Sequence, residues 1–313
     1  MKVLFTGTGS IGSRHIINLY NNCRAKNIPL TIDVIRYSNR ILPDNIKTKI
    51  RNEINDDKKL DTSYDVLFVT EGTKTHFDTI LKYRPICKHM FIEKPIFDTP
   101  YYPIEKITPL TPDTIYYVAA PIRFTHYYQK LKEVLNKNEI YSIRIIFSSY
   151  MPDWQANRDY RKSFRCSVNK GGGVDIDLIH GIDYMTSLLG KPQKVHRIAG
   201  KFSNLEMDAC DLAIYMFEYP DKLVELHLDY FGRIRTRKVE LYTKDDVIVV
   251  DFNEFKCYYL KSGKIESYNA DDQFYQDEMD YFVNMITSEN NIVNINTPQN
   301  AYETLKLSKG IID

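Results

Sequence analysis

Val3-Leu4-Phe5-Thr6-Gly7-Thr8-Gly9-Ser10-Ile11-Gly12 is the stretch whose reading decides the fold. Val3 to Thr6 reads as a short buried strand that stops at a glycine. A helical pattern runs on from about Ser10 to Cys23, with Ile11, Ile16, Leu19 and Tyr20 near one face. Between the two, Gly7, Gly9 and Gly12 keep the Gly-x-Gly-x-x-Gly spacing. Gly7 permits the tight turn, Gly9 lets the backbone approach a pyrophosphate with no Cβ in the way, and Gly12 lets the helix lie close on the sheet. The N–H groups at the helix start (Ser10, Ile11, Gly12), together with the helix dipole, can then hold phosphate charge. The expectation is a dinucleotide site in the first strand–helix turn.

The next hundred residues repeat this rhythm. Thr31–Ile35, Val66–Val69, Met90–Ile92 and Ile115–Ala119 read as strands, and His76–Tyr83 reads as a helix. Short, continuously apolar strands separated by helical segments indicate a parallel sheet covered on both faces. After Pro121 the rhythm changes. A helix is expected over 125–136, a long strand over 141–149, and a polar, aromatic loop over 150–170. Gly171-Gly172-Gly173 then precedes a helix reaching Leu189. Six strand candidates follow, over 194–201, 211–218, 224–230, 237–242, 247–251 and 256–260, joined by short turns, which means a largely antiparallel sheet. Helices over 271–287 and 298–312 close the chain. The predicted fold is α/β. Residues 1–121 form a doubly wound Rossmann domain, and 122–297 an α+β substrate and oligomerisation domain with a large open, mostly antiparallel sheet. The helix of 298–313 packs back on the first domain.

At 313 residues the chain is too long for one ordinary core, which supports two domains. Its 42 basic and 41 acidic side chains leave a net charge of +1, no field to draw in nucleic acid or an anionic membrane. The apolar run before Gly7 is shorter than the roughly 7–15 residues of a signal-peptide core. No run of about 18 apolar residues occurs, so no membrane helix is expected. Five scattered cysteines suit the reduced thiols of a cytoplasmic protein. The histidines show no metal-ligand spacing, and no metal is expected.

The tip of the second strand reads Ile35-Arg36-Tyr37-Ser38-Asn39-Arg40. An NAD site places Asp or Glu there to accept from the ribose 2′-OH. Here the tip has no acid. Arg36, Ser38 and Arg40 suit a 2′-phosphate, which a guanidinium binds with two hydrogen bonds. NADP is therefore expected over NAD, with NAD remaining open; Arg36 or Arg40 as simple surface charges is the lesser alternative.

Three further segments, taken with the glycine turn, resemble the Gfo/Idh/MocA family, the glucose–fructose oxidoreductase and inositol dehydrogenase group. Ile92-Glu93-Lys94-Pro95 matches that family's Glu-Lys-Pro signature at a strand end. Thr70-Glu71-Gly72-Thr73-Lys74-Thr75-His76 resembles its cofactor-side loop, with Gly72 where proline is usual. Residues 171–184, from Gly171 to Tyr184, resemble its second-domain motif. The resemblance covers nearly the whole chain and implies an oxidoreductase acting on CH–OH groups. It implies that Thr70, His76, Glu93 and Lys94 flank the cofactor, with Lys94 exchanging the proton that accompanies hydride transfer and Glu93 positioning it. In the second motif Asp177, His180, Asp183 and Tyr184 are expected on one helix, where Asp177 and His180, three apart, share a face. An imidazole titrates near neutral pH, which makes His180 the expected proton relay. Asp177 would orient it or hold a substrate hydroxyl. Family members commonly space this pair four apart.

Residues 150–165 hold the single tryptophan, Trp154, with Arg158, Tyr160, Arg161 and Arg165. Aromatic faces pack on sugar rings and arginines bind phosphate or carboxylate. The segment is similar to a loop in family members from surface-glycan gene sets. That implies a sugar or nucleotide-linked sugar, with Trp154, Arg158, Tyr160 and Arg161, and with Arg123 and Asp183 in support. A loop that contacts a neighbouring subunit of a homodimer or homotetramer is the alternative. A lyase-like enzyme with tightly held cofactor and a non-catalytic dinucleotide-binding sensor are the competing functions. A sensor has no need to keep both Lys94 and His180.

Overall fold

The computed structural model describes residues 1–38, 40–154, 158–270 and 273–312. Asn39 at the second-strand tip, 155–157 of the aromatic loop and 271–272 at the expected start of the penultimate helix lie outside the described residues. The helices are α1 Ser10–Ala25, α2 Asp44–Lys47, α3 His76–Tyr83, α4 His126–Lys137, α5 Val174–Asp177, α6 His180–Leu189, α7 Phe274–Thr287 and α8 Pro298–Ser308. Contacts divide the chain into two compact units, Met1–Pro121 with Gln273–Tyr302, and Ile122–Asp272 with Glu303–Asp313.

The first unit is built on a six-stranded sheet. Its strands are β1 Lys2–Phe5, β2 Thr31–Ile35, β3 Asn52–Ile54, β4 Tyr64–Val69, β5 Cys87–Ile92 and β6 Tyr116–Val118. They run parallel in the order β3-β2-β1-β4-β5-β6, which is the doubly wound topology expected from the alternation of strands and helices. Val3 pairs with Ile32 on one side and Val66 on the other. Strand β3 carries no apolar alternation, since only Ile54 of its three residues is buried, so the sequence offers nothing to mark it.

The core of this unit recruits residues far along the chain. Met279, Phe282, Val283 and Met285 of α7 are buried with Val3, Phe5, Phe68 and Phe91 in one cluster. The Phe282 ring lies edge-on to Phe68 and Phe91, 5.8 and 5.2 Å between centroids. Residues 273–297, read from sequence as second-domain, therefore cluster with the first unit. The physical reason is the apolar face of α7, which covers the sheet beside α1. The closing helix differs too. Tyr302, near the middle of α8, donates to the Pro100 carbonyl within the first unit at 2.6 Å. Residues 303–313 cluster with the second unit instead, where Leu307 is buried in the core and the Ser308 carbonyl accepts from Tyr215 at 2.8 Å.

The second unit has an eight-stranded sheet made of β7 Ile140–Tyr150, β8 Lys194–Gly200, β9 Leu212–Glu218, β10 Leu223–Asp229, β11 Phe231–Thr243, β12 Val247–Asp251, β13 Lys256–Tyr259 and β14 Ile265–Ser267. The order is β14-β13-β12-β11-β7-β10-β9-β8, antiparallel except for the parallel pair β7–β10. Alternate residues point to one buried face. Ile143, Ile145 and Phe147 of β7 lie beside Val224, Leu226 and Leu228 of β10, under Tyr127 and Leu131 of α4 and Ile182 and Met185 of α6. The opposite face carries half-exposed groups such as the Arg144–Glu225 pair. Among the described residues, no helix is long and apolar enough to cross a membrane.

Truncating Phe282 to Ala leaves a void between α7 and the parallel sheet. The expected loss is roughly 3–5 kcal/mol, read as a lower urea midpoint.

Candidate active site

The glycine turn joins the end of β1 to α1. A Cβ on Gly12 would lie 2.2 Å from the Gly7 carbonyl oxygen, and one on Gly7 would lie 2.8–2.9 Å from the backbone of Thr70 and Glu71. Both glycines are thus required by close backbone approach. Gly9 differs, because a Cβ there would meet nothing within 4 Å and its φ is an ordinary −64°. The protein itself makes no demand for glycine at position 9. Gly9 is the N-cap of α1, no side chain caps this terminus, and the first turn carries no acid. The N–H groups of the first turn have no intrahelical acceptors by construction. A bare, uncapped helix start with open space at its cap fits a dinucleotide's pyrophosphate.

The end of β4 supports this turn. The buried Thr70 hydroxyl donates to the Gly7 carbonyl at 2.8 Å. His76 is fully buried at the start of α3, its Nδ1 3.1 Å from the Ile96 carbonyl oxygen and its Nε2 3.4 Å from that of Glu71. Both residues brace the loops around the turn.

Lys94 follows β5, which is separated from β1 and its glycine turn by β4 alone, two strands along the sheet; its peptide bond to Pro95 is cis. Glu93 is buried. One carboxylate oxygen accepts the Lys94 backbone N–H at 3.1 Å, and the other meets Nε2 of His15 on α1. Burial pushes the Glu93 carboxyl up. The bond from His15, the charges of His15 and Lys94 and the Lys94 N–H outweigh it and hold the group below its ordinary value. His15 went unnoticed in the sequence. A signal existed, because position 15 falls on the inward stripe of α1 with Gly12, Ile16 and Leu19, where a histidine needs a partner.

The tip of β2 has more structure than its sequence suggests. Arg36 is buried and donates to Glu53 of β3 at 3.0 Å, to the Ser38 hydroxyl at 2.5 Å and to the Arg40 carbonyl. Its guanidinium braces the tip, and the neighbouring strand supplies the carboxylate that the tip lacks. The Arg40 side chain is exposed.

In the second unit the helix expected to carry Asp177, His180, Asp183 and Tyr184 is broken. Helix α5 ends at Asp177, Leu178 caps it with φ −94° and ψ 24°, and α6 begins at His180. Asp177 and His180 thus occupy the end of one helix and the start of the next. Asp177 accepts from Arg165 Nε at 2.7 Å and from the buried Tyr230 hydroxyl at 3.2 Å. Burial and the Asp177 charge raise the Tyr230 phenol well above its ordinary value, which keeps it a donor. The Arg165 guanidinium lies over Trp154 and Phe164, 5.7 and 4.8 Å from the ring centroids, and Trp154 meets Tyr230 edge-on at 5.4 Å. Trp154, Arg165, Asp177 and Tyr230 form one half-open cluster. Tyr230 lies between two strands and has no local sequence signal.

Other expected substrate residues are engaged elsewhere. Arg123 and Asp183 form a buried bidentate pair at 3.0 and 2.7 Å. Arg161 is held by Asp159 at 2.8 and 3.1 Å and by Glu206 at 3.3 Å. The Tyr160 hydroxyl accepts the Glu206 backbone N–H at 3.0 Å. Arg158 is exposed. Among the described residues, no group of three His, Cys, Asp or Glu side chains is placed to hold a metal.

Two family models match the chain. Residues 1–105 match an oxidoreductase family with an NAD-binding Rossmann fold, and residues 128–248 match the Gfo/Idh/MocA C-terminal domain. The chain belongs to the Gfo/Idh/MocA oxidoreductase family. No curated protein sequence matches it significantly. Solved structures share its fold at low identity. A biliverdin reductase from Synechocystis sp. PCC 6803, in complex with biliverdin and NADP+, is 14% identical with TM-score 0.80, covering 98% of each chain. The myo-inositol 2-dehydrogenase of Lactobacillus plantarum is 14% identical with TM-score 0.75, covering 99% of this chain and 95% of its own. The WlbA dehydrogenase of Bordetella pertussis, in complex with NADH and UDP-GlcNAcA, is 13% identical with TM-score 0.74, covering 99% and 94%.

The contrast among the glycines is testable. Gly9→Ala should lower NAD(P)H affinity at least tenfold while costing no more than about 1 kcal/mol of stability, the usual penalty of alanine at an N-cap, because its Cβ would meet nothing within 4 Å. Gly12→Ala should lower the melting temperature sharply. Fluorescence titration and thermal melts separate the two.

Proposed function

We propose that this protein is an NADP-preferring dehydrogenase or reductase acting on a CH–OH group of a sugar or nucleotide-linked sugar, with a role in surface-glycan synthesis. The cofactor would supply hydride chemistry at nicotinamide C4, a reaction that obliges the enzyme to move one proton to or from the substrate oxygen. The observation that carries the reading is the uncapped start of α1 at Gly9, with Lys94 two strands along the same carboxyl edge of the sheet. Ligands of doubly wound sheets bind at that edge.

In this reading Gly7–Gly12 hold the pyrophosphate. Lys94 donates to the substrate oxygen and stabilises its charge, and His180 relays the proton. Asp177, fixed by Arg165 and Tyr230, accepts a substrate hydroxyl or orients the relay. Trp154 offers its face to a sugar ring, with Arg158, Tyr160 and Arg161 further along the loop. At the tip of β2, Arg36 serves as the brace, while Ser38 and the exposed Arg40 meet the 2′-phosphate. Glu53 favours a second reading, in which that carboxylate accepts from the ribose hydroxyls and NAD is the cofactor. We further infer a cytoplasmic homodimer or homotetramer.

A screen of sugars and nucleotide sugars, followed by NADPH absorbance, tests the activity. On the substrate found, Lys94→Met and His180→Ala should each lower kcat about 10²-fold or more while cofactor binding stays intact. Full turnover in either would overturn its assignment. For the cofactor, Arg40→Ala should weaken NADPH about tenfold, the loss of one charge-assisted hydrogen bond, and leave NADH unchanged. Equal wild-type affinities for NADPH and NADH would overturn the NADP preference, and tighter binding of NADH would decide for the second reading.

A further inference from the structure

His15 and Glu93 form a buried contact that the mechanism above does not use. His15 is wholly buried on α1, three residues past Gly12, among the rings of Phe68, Phe91 and Tyr275. Its Nε2 meets Oε1 of Glu93, and its Nδ1 is buried with no hydrogen-bond partner among the described residues. A histidine placed only to fill space would be better replaced by a phenylalanine, since an orphaned ring nitrogen in an apolar setting is costly. The carboxylate it meets is costly there too, unless both its oxygens are satisfied.

Glu93 receives one donor from each side. Oε1 is held from α1, the helix that starts at the glycine turn, and Oε2 accepts the backbone N–H of Lys94 at 3.1 Å. Glu93 is itself anchored, its N–H donating to the Val69 carbonyl at 2.9 Å. A single carboxylate thus links the helix that would carry the cofactor's phosphates to the backbone of the lysine that would serve its reacting end. The low-lying carboxyl of Glu93 agrees with a group kept ionised as a double acceptor.

We propose that His15 is a positioning residue which, through Glu93, fixes the Lys94 backbone relative to the glycine turn. The proposal rests on the reading of Lys94 given above. Without the Nε2 donor the Glu93 carboxylate is free to turn toward other donors, and the Lys94 N–H loses its acceptor. The phosphate-binding turn, whose close approaches run through Gly7, Gly12 and Thr70, does not depend on this contact.

The test compares wild type with His15→Phe, which removes the donor, and His15→Gln, whose side-chain amide can restore one near the position of Nε2. Hydrogen exchange at the Lys94 amide is the primary readout. It should quicken about tenfold in the Phe variant, as a locally released amide does, and return to the wild-type rate in the Gln variant, with Met90–Ile92 unchanged in both. ADP-ribose, which occupies only the phosphate turn and adenosine side, should bind all three proteins alike by calorimetry. On an identified substrate, kcat should fall by roughly tenfold to a hundredfold in the Phe variant, as for a group displaced by about 1 Å, with sugar KM unchanged. If His15→Phe fails to fold, Glu93→Met, close in size but with no oxygen to accept the Lys94 N–H, should show the same faster exchange. A Lys94 amide as slow as wild type in either variant, or a Gln variant no better than Phe, overturns the proposal. Because exchange is read without turnover, absence of any sugar activity counts against the proposed function alone, and the clamp is judged separately.

Discussion

A Cβ on Gly12 would come to 2.2 Å from the Gly7 carbonyl oxygen, and the first unit is arranged around that prohibition. Because no side chain intervenes, α1 settles directly on the end of β1, and Thr70 can reach across from β4 to the same carbonyl. The helix start is thereby set over the carboxyl edge of the sheet. Its inward stripe, from His15 through Ile16 and Leu19 to Cys23, is delivered to the core. A helix held further off would leave Glu93 without its partner on α1.

The second unit shows a different economy of charge. Most of the acids and bases that might have met a ligand are already matched with each other. Arg123 is bound to Asp183, Arg161 to Asp159 and Glu206, and the buried Asp175 to Arg197 and Lys309. Burial of an ion is tolerated when the partner and its hydrogen bonds are well placed. Such pairs fix loops with little regular structure of their own, such as the run of short turns between β7 and α5. What stays half-open is a smaller set in which one guanidinium, stacked on two aromatic rings, presents one carboxylate.

The parallel sheet and the antiparallel sheet were legible from periodicity, because strand alternation and continuous apolar runs report directly which faces are buried. The glycine turn was legible because its three glycines keep a fixed local spacing between a strand and a helix, although only the approach of Gly12 to Gly7 is local and that of Gly7 is to Thr70 and Glu71. Strand β3 was not, since a three-residue edge strand buries a single side chain. The break between Asp177 and His180 was hidden too, because Leu178 and Ile179 carry on the apolar pattern across it. The pairings of Arg36 with Glu53, Arg165 with Asp177 and His15 with Glu93 join residues 17, 12 and 78 positions apart. The residue types are visible in the sequence, but which charge answers which is decided by the fold.

The position of α7 has a consequence for how the chain comes into being. Met279, Phe282 and Val283 close the apolar surface over Phe68 and Phe91, yet they are made more than 180 residues after those rings. A ribosome that has released the first 121 residues has produced every strand of the parallel sheet and none of the cover for that part of it. The nucleotide-binding half is therefore no detachable N-terminal module. Its core is completed only when translation has passed through the whole of the second sheet, and a fragment ending at Pro121 would carry its aromatic interior to the solvent.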